Sequence, residues 1–175
     1  AEDQIFRAKR DQTLPGYYRP HKDWDLVVKD GNKLLAAIEM KSQAGPSFGN
    51  NSNNRAEEAI GMSEDLWTAY REGVFGTYQA PWLGYLFLLE ETPRSMTPVR
   101  PKEPHYQVLP EFRKASYAKR YEELCKKLVL ERKYTSTCLI LSPRPEQGKP
   151  VQHSYPVIEL AGETFVRSLI SHVAE

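Results

Sequence analysis

The sequence has only two cysteines, Cys125 and Cys138, thirteen positions apart. That spacing is neither a redox pair nor a metal-ligand pattern, so both are expected to be buried, reduced thiols. His21, His105, His153 and His172 are scattered without paired spacing, which argues against a zinc centre. A dominant charge is missing too: 24 Lys and Arg against 23 Asp and Glu leave +1, a balance that by itself points to no partner. No apolar run approaches the roughly 20 residues of a membrane span. The opening Ala1-Glu2-Asp3-Gln4 is no secretory signal, so the cytoplasm is the expected compartment and no membrane partner is expected. Repeats and low-complexity linkers are absent as well.

What is present is enough for one domain with a core, since 40% of 175 residues are hydrophobic. Trp24-Asp25-Leu26-Val27-Val28 and Leu34-Leu35-Ala36-Ala37-Ile38 are strand-like runs separated by Lys29-Asp30-Gly31-Asn32-Lys33, a turn-forming cluster. They form a predicted hairpin. With a three-residue loop, Asp30-Gly31-Asn32, and Gly31 at positive φ, Asp25 falls opposite Ala37 and on the face of Glu39 and Lys41. A two-residue loop reverses that parity, so the expectation requires an odd loop or a bulge. Period two also sets Glu39, Lys41 and Gln43 in one row.

Two carboxylates and a lysine on adjacent strands suit metal-dependent phosphodiester hydrolysis. Hard Mg²⁺ takes oxygen ligands and keeps several waters, so Asp25, Glu39 and the backbone carbonyl of Met40 are candidate ligands. Lys41 would stand beside the attacking water. The plainer alternative is a hairpin with surface charges. Against it, Glu39 and Lys41 follow a run apolar enough to be buried, where unpaired charges are costly.

Further along, Asn54 stands in capping-box register with Glu57, and Ile60, Ser63, Trp67 and Tyr70 then recur on one helical face that should end near Gly73. Leu83 to Leu89 is a continuous apolar run, as in a central strand. Thr92 to Pro110 is proline-rich and expected to be an irregular loop. A helix follows from about Ser116 to Lys133, with Tyr117, Tyr121, Leu124, Cys125 and Leu128 inward and Lys119, Lys126, Lys127 and Lys133 outward. Thr137 to Leu141 is a second core strand, and Gly162 to Ala174 a helix packing on Phe165, Val166, Leu169 and Ile170. The order predicts an α/β fold, a mixed β-sheet flanked by helices.

Several groups admit two readings. The stretch Gly45 to Arg55 follows the strand of Glu39 and Lys41, so its polar side chains could reach base edges, yet Gly, Asn and Ser also cluster in ordinary turns. It lacks the Gly-Lys-Ser/Thr ending of a phosphate-binding loop. Glu57 and Glu58 could add a carboxylate to the site or complement a helix dipole. From Arg113 to Lys133, eight Lys or Arg face three Glu; Lys119, Lys126 and Lys127 suit phosphate contacts as well as a solvated face. Tyr17, Tyr18 and Arg19 either flank the cleft or pack.

Asp25 followed by Glu39-Met40-Lys41 resembles the PD-(D/E)xK nuclease motif. The longer strings Leu14-Pro15-Gly16-Tyr17-Tyr18-Arg19-Pro20, Trp24-Asp25-Leu26, Ile38 to Asn51, Asn53-Asn54-Arg55 and Asp65 to Gly73 resemble the XhoI family of type II restriction endonucleases. The similarity is strong over residues 14–90 and looser beyond. One departure is His21-Lys22-Asp23-Trp24, where the superfamily has a proline directly before the aspartate; Asp23 thus rivals Asp25, which is preferred because it heads the apolar strand.

The resemblance implies a restriction-endonuclease-like core and Mg²⁺-dependent cleavage of both strands of double-stranded DNA at the palindrome CTCGAG, leaving 5′-phosphates. It also implies a homodimer and a cognate DNA methyltransferase as functional partner. Asp25, Glu39 and Lys41 take the catalytic roles; Asn50, Asn51, Asn53, Asn54 and Arg55 become expected DNA contacts, with Gln43, Glu57 and Glu58 as accessories. Residues 1–175 are expected to form a single nuclease domain lacking an N-terminal portion, since enzymes of the family extend further on that side. The alternatives are a PD-(D/E)xK nuclease of another target, for repair or junction cutting, and an inactive DNA-binding module.

Overall fold

The computed structural model describes residues 5–6 and 12–174, the side chains of Ile5, Phe6 and Asn50 excepted. Among them one sheet runs β1 (Ile5–Phe6), β4 (Leu26–Asp30), β5 (Lys33–Gln43), β6 (Trp82–Glu90), β7 (Ser136–Ser142), and β2 (Thr13–Leu14) pairs with β3 (Lys22–Asp23). The first three strands of the sheet are antiparallel and the last three parallel. Helices α1 (Phe48–Arg71) and α3 (Tyr117–Leu130) cover one face; α4 (Gly162–Val173) covers part of the other, and α2 (Pro93–Met96) is a single turn. This is the expected mixed α/β arrangement.

Strand alternation divides the core between the faces. Ala37, Leu83, Tyr85, Phe87 and Leu139 meet Ala59, Met62 and Leu66 of α1 and Tyr121, Cys125 and Leu128 of α3. Ala36, Ile38, Trp82 and Cys138 meet Phe165 of α4. β6 and β7 are nearly continuous apolar runs: α1 and α3 bury one face, while on the other α4 covers Trp82 and Cys138 and leaves Leu88 exposed. Cys125 and Cys138 are buried free thiols, and burial pushes the first up to about 12 and the second to about 11.

The hairpin reaches the expected parity through the bulge rather than through an odd loop. Asp30 pairs with Lys33, leaving the two-residue loop Gly31-Asn32, with Gly31 at φ +55°. Val28 pairs with Ala36 but Lys29 with Leu34, so Leu35 is an extra residue that restores the face. Val27, not Asp25, lies opposite Ala37.

Helix α1 starts at Phe48 rather than after Asn54, so the supposed recognition loop is mostly helix. Its Asn and Gly residues are poor helix formers, but Phe48 is 1% exposed and stacks on Tyr117 at 5.7 Å, and that packing overrides propensity. The buried stripe of α1 is Ala59, Met62, Leu66 and Ala69, leaving Ile60 exposed. A Schellman turn ends the helix as expected: Gly73, at φ +77°, donates to Tyr70 O and Val74 to Ala69 O. Two other expectations need correction. Thr92 and Ser95 form a capping box for α2 inside the supposed irregular stretch, and Val166 and Ile170 of α4 face solvent while Phe165 and Leu169 pack.

Candidate active site

Eleven residues long, β5 runs through the middle of the sheet and carries Glu39 onto the face under α1. Glu39 is 2% exposed, so its charge requires partners. It has two: Lys41 donates from Nζ to Oε1, and Lys22 of β3 from Nζ to Oε2 at 2.5 Å. Tyr134 lies close by; burial first, then the Glu39 charge, raises its phenol above the usual range.

Asp25 stands one residue before the Leu26–Ile38 pair, at the level of Glu39, and its N–H donates to Ile38 O at 3.2 Å. Its carboxylate is exposed and accepts the Met40 N–H at 2.6 Å. In an extended strand the N–H and C=O of one residue point the same way, so the Met40 carbonyl points to the β4 side of β5, as that of Ile38 does. Asp23 is engaged elsewhere, accepting the Thr13 hydroxyl at 2.5 Å. Among the described residues no three His, Cys, Asp or Glu side chains gather into a metal cage. Two carboxylates with an adjacent strand carbonyl nevertheless form an all-oxygen donor set that fits a hard divalent cation which keeps its waters.

Glu39 and Lys41 open onto a cleft of about 640 Å³ whose walls include Tyr18, Arg19, Lys22, Arg55, Glu58 and Asp65. The cations come from four segments: Arg19 from the β2–β3 connection, Lys22 from β3, Lys41 from β5 and Arg55 from α1. Arg55 and Glu58 of α1 pair at 2.5 Å. Arg19 is held by Asp65, buried on α1, which accepts the N–H groups of Tyr17 and Tyr18 at 2.8 Å each and Arg19 Nε at 2.7 Å. This clamp leaves Tyr17 and Tyr18 exposed beside the cleft, which decides between flanking and packing. Burial raises the Asp65 carboxyl, but the Tyr18 amide, the Arg19 guanidinium and the Tyr17 amide outweigh it and hold the group below its usual range.

The remaining candidates are dispersed. Asn51, Asn53 and Asn54 ride on the first turns of α1, and the Asn50 side chain lies outside the described residues. Glu57 and Glu58 fall well inside α1, so neither complements its N-terminal dipole; Glu57 is exposed and only Glu58 reaches the cleft. Gln43 is buried, its Nε2 donating to Ser47 O at 3.2 Å and its Oε1 accepting the Tyr121 hydroxyl, so it pins the exit of β5. Lys119 pairs with Glu122 and Glu123, Lys126 with Glu122 and Lys127 with Glu111, away from the cleft walls. Lys22 and Asp65 were not foreseen as site residues. Lys22 meets Glu39 only through the small β2–β3 sheet, a pairing of two-residue strands that leaves no periodic signal.

The mixed sheet flanked by helices is the arrangement of a restriction-endonuclease-like fold. Comparison with known proteins is more particular: the chain belongs to the restriction endonuclease XhoI family, whose model matches residues 1–154. It is 51% identical over 176 residues to the type II restriction enzyme BstVI of Geobacillus stearothermophilus, across 98% of this chain and 78% of that protein. To the type II restriction enzyme XhoI of Xanthomonas vasicola it is 44% identical over 174 residues, 92% of this chain and 70% of that protein. The type II restriction enzyme AbrI of Azospirillum brasilense matches at 57% over 104 residues, 59% of this chain and 47% of that protein. No solved structure matches. The chain is a type II restriction endonuclease, a site-specific deoxyribonuclease acting on double-stranded DNA. Among the described residues no helix is long and apolar enough to cross a membrane.

Proposed function

We propose that the chain hydrolyses one phosphodiester bond in each strand of the palindrome CTCGAG, with Mg²⁺ as cofactor and Asp25, Glu39 and Lys41 as the catalytic residues. The observation that carries this reading is the pair of Glu39, 2% exposed, and Lys41 at the wall of an open cleft, with Asp25 across the ladder. When bound by Asp25, Glu39 and the Met40 carbonyl, Mg²⁺ supplies charge neutralisation and an acidified water.

The chain's own groups supply the positioning. Lys41, fixed through Oε1 of Glu39, directs an ammonium proton at the attacking water and aligns it with phosphorus. Arg19 offers its guanidinium group to the non-bridging oxygens. Glu58 holds Arg55 in place as an accessory, and Gln43 acts indirectly by fixing the end of β5.

Sequence would be read from the first turns of α1, since the major groove admits a helix and Asn51, Asn53, Asn54 and Arg55 carry the side chains that pair with adenine and guanine; Asn50 belongs to the same reading. Lys119, Lys126 and Lys127 would reach phosphate only after leaving their glutamates, which makes them secondary contacts. A twofold homodimer matches a palindrome most simply, one half-site per subunit. A methyltransferase modifying the same site would protect host DNA in the cytoplasm.

The test is a plasmid with a single CTCGAG site, incubated with and without Mg²⁺ beside the Glu39→Gln variant. Linear product that requires Mg²⁺ and the native residue supports the reading. Cutting elsewhere removes the specificity, and salt-sensitive binding without cutting would make the chain a DNA-binding module.

A further inference from the structure

Lys41 and Lys22 divide the two oxygens of Glu39 between them. Lys41 takes Oε1 from two positions along the same strand. Lys22 takes Oε2 at 2.5 Å, donates also to the Asp23 carbonyl at 2.8 Å, and sets its ammonium 4.6 Å from the centre of the Trp24 ring. Its side chain is only 11% exposed. The seat is built for it: Leu14 pairs with Lys22 and Thr13 with Asp23, while Trp24, 3% exposed, donates its backbone N–H to Gln12 O at 3.0 Å. The proposed hydrolysis has no step for a second lysine on this carboxylate.

We propose that Lys22 is an exchangeable counter-ion of Glu39, holding Oε2 while no divalent cation is present and competing with the cation for that oxygen. The proposal rests on the reading of Glu39 as a metal ligand. A carboxylate this buried is costly without a countercharge, and Lys22 removes that cost in the resting protein. A lysine suits the task because its ammonium is a point charge on a flexible stem, able to withdraw without dismantling a bidentate pair. Lys22 also lines the cleft, so an arriving phosphate offers it a second partner. Cation and DNA therefore strengthen each other's binding: the phosphate draws Lys22 from Oε2, and the cation frees Lys22 for the phosphate.

The experiment is a Mn²⁺ titration of DNA-free protein, with free Mn²⁺ read by electron paramagnetic resonance, for the native chain, Lys22→Met, Lys22→Gln and Glu39→Gln. Both Lys22 variants should bind Mn²⁺ about tenfold more tightly than the native chain, within the usual size of a coupling between two sites. Glu39→Gln should lose the site. The glutamine variant keeps a donor for the Asp23 carbonyl, so it answers the question if the methionine variant does not fold. Unchanged or weaker binding in the Lys22 variants, with the site lost in Glu39→Gln, overturns the role of Lys22 and leaves the metal reading standing. Mn²⁺ binding that survives Glu39→Gln overturns the metal reading and this proposal with it.

Discussion

Asp25 stands across the β4–β5 ladder from Glu39, one residue beyond the pair Leu26–Ile38, and the extra residue Leu35 is what puts both on the same face. Without it the two-residue loop would turn Asp25 to the side of α4.

Asp25→Asn and Glu39→Gln should each lower the cleavage rate by on the order of 10²-fold or more, the usual cost of removing one electrostatic contributor to a transition state. Binding of uncut DNA without a divalent cation should change far less, since phosphate contacts come from other side chains. A filter-binding assay beside single-turnover cleavage checks the split; parallel loss of both would make these carboxylates structural.

Asp65 ties acid stability to the lip of the cleft. Its folded carboxyl titrates below the unfolded value of 3.8, so its contribution is complete above that value and is lost as pH falls through the lower folded one. Asp65→Asn should cost about 1.5–3 kcal/mol at pH 6, the range for hydrogen bonds to a charged group. Urea unfolding at pH 6 and pH 3 should show a smaller acid loss in the variant than in the native chain.

Gly84 sits beneath the packing of α4. A Cβ there would stand 2.7 Å from Phe165 Cζ and closer still to the Trp82 ring, both of which are buried. Gly84→Ala should destabilise the fold by about 1–3 kcal/mol, as overpacking does. Near-ultraviolet circular dichroism should register the altered Trp82 environment.

Arg132 closes α3 at φ 54°, with Lys133 N donating to Leu128 O at 2.8 Å and Arg132 N to Val129 O at 2.9 Å. An L residue other than glycine pays about 1–2 kcal/mol for that conformation. Arg132→Gly should therefore raise stability by about 1 kcal/mol, seen as a higher urea midpoint with unchanged slope.

Much of this fold was legible because its signals are local. The run Leu83–Leu89 is apolar at every position but Gly84, as suits a strand in the interior of the sheet, and Ser116 caps α3 by accepting the Lys119 N–H at 3.1 Å. The start of α1 was not legible, because the anchor that makes Phe48 helical is Tyr117, far along the chain. The exposure of Val166 and Ile170 was hidden for a similar reason. Amphipathic spacing marks an apolar face, but the width of that face covered by the sheet depends on where α4 docks.

The candidate site divides the same way. Period two along β5 determined by itself that Glu39, Lys41 and Gln43 share a face, because alternation is a property of one strand's backbone. Only the tertiary structure decided which of them reach the cleft, that Leu35 would bring Asp25 level with Glu39, and that Lys22 would be the second countercharge. Those outcomes depend on pairing register and on the electrostatic cost of burying a carboxylate, which involve segments distant in sequence and so are written in no single stretch of it.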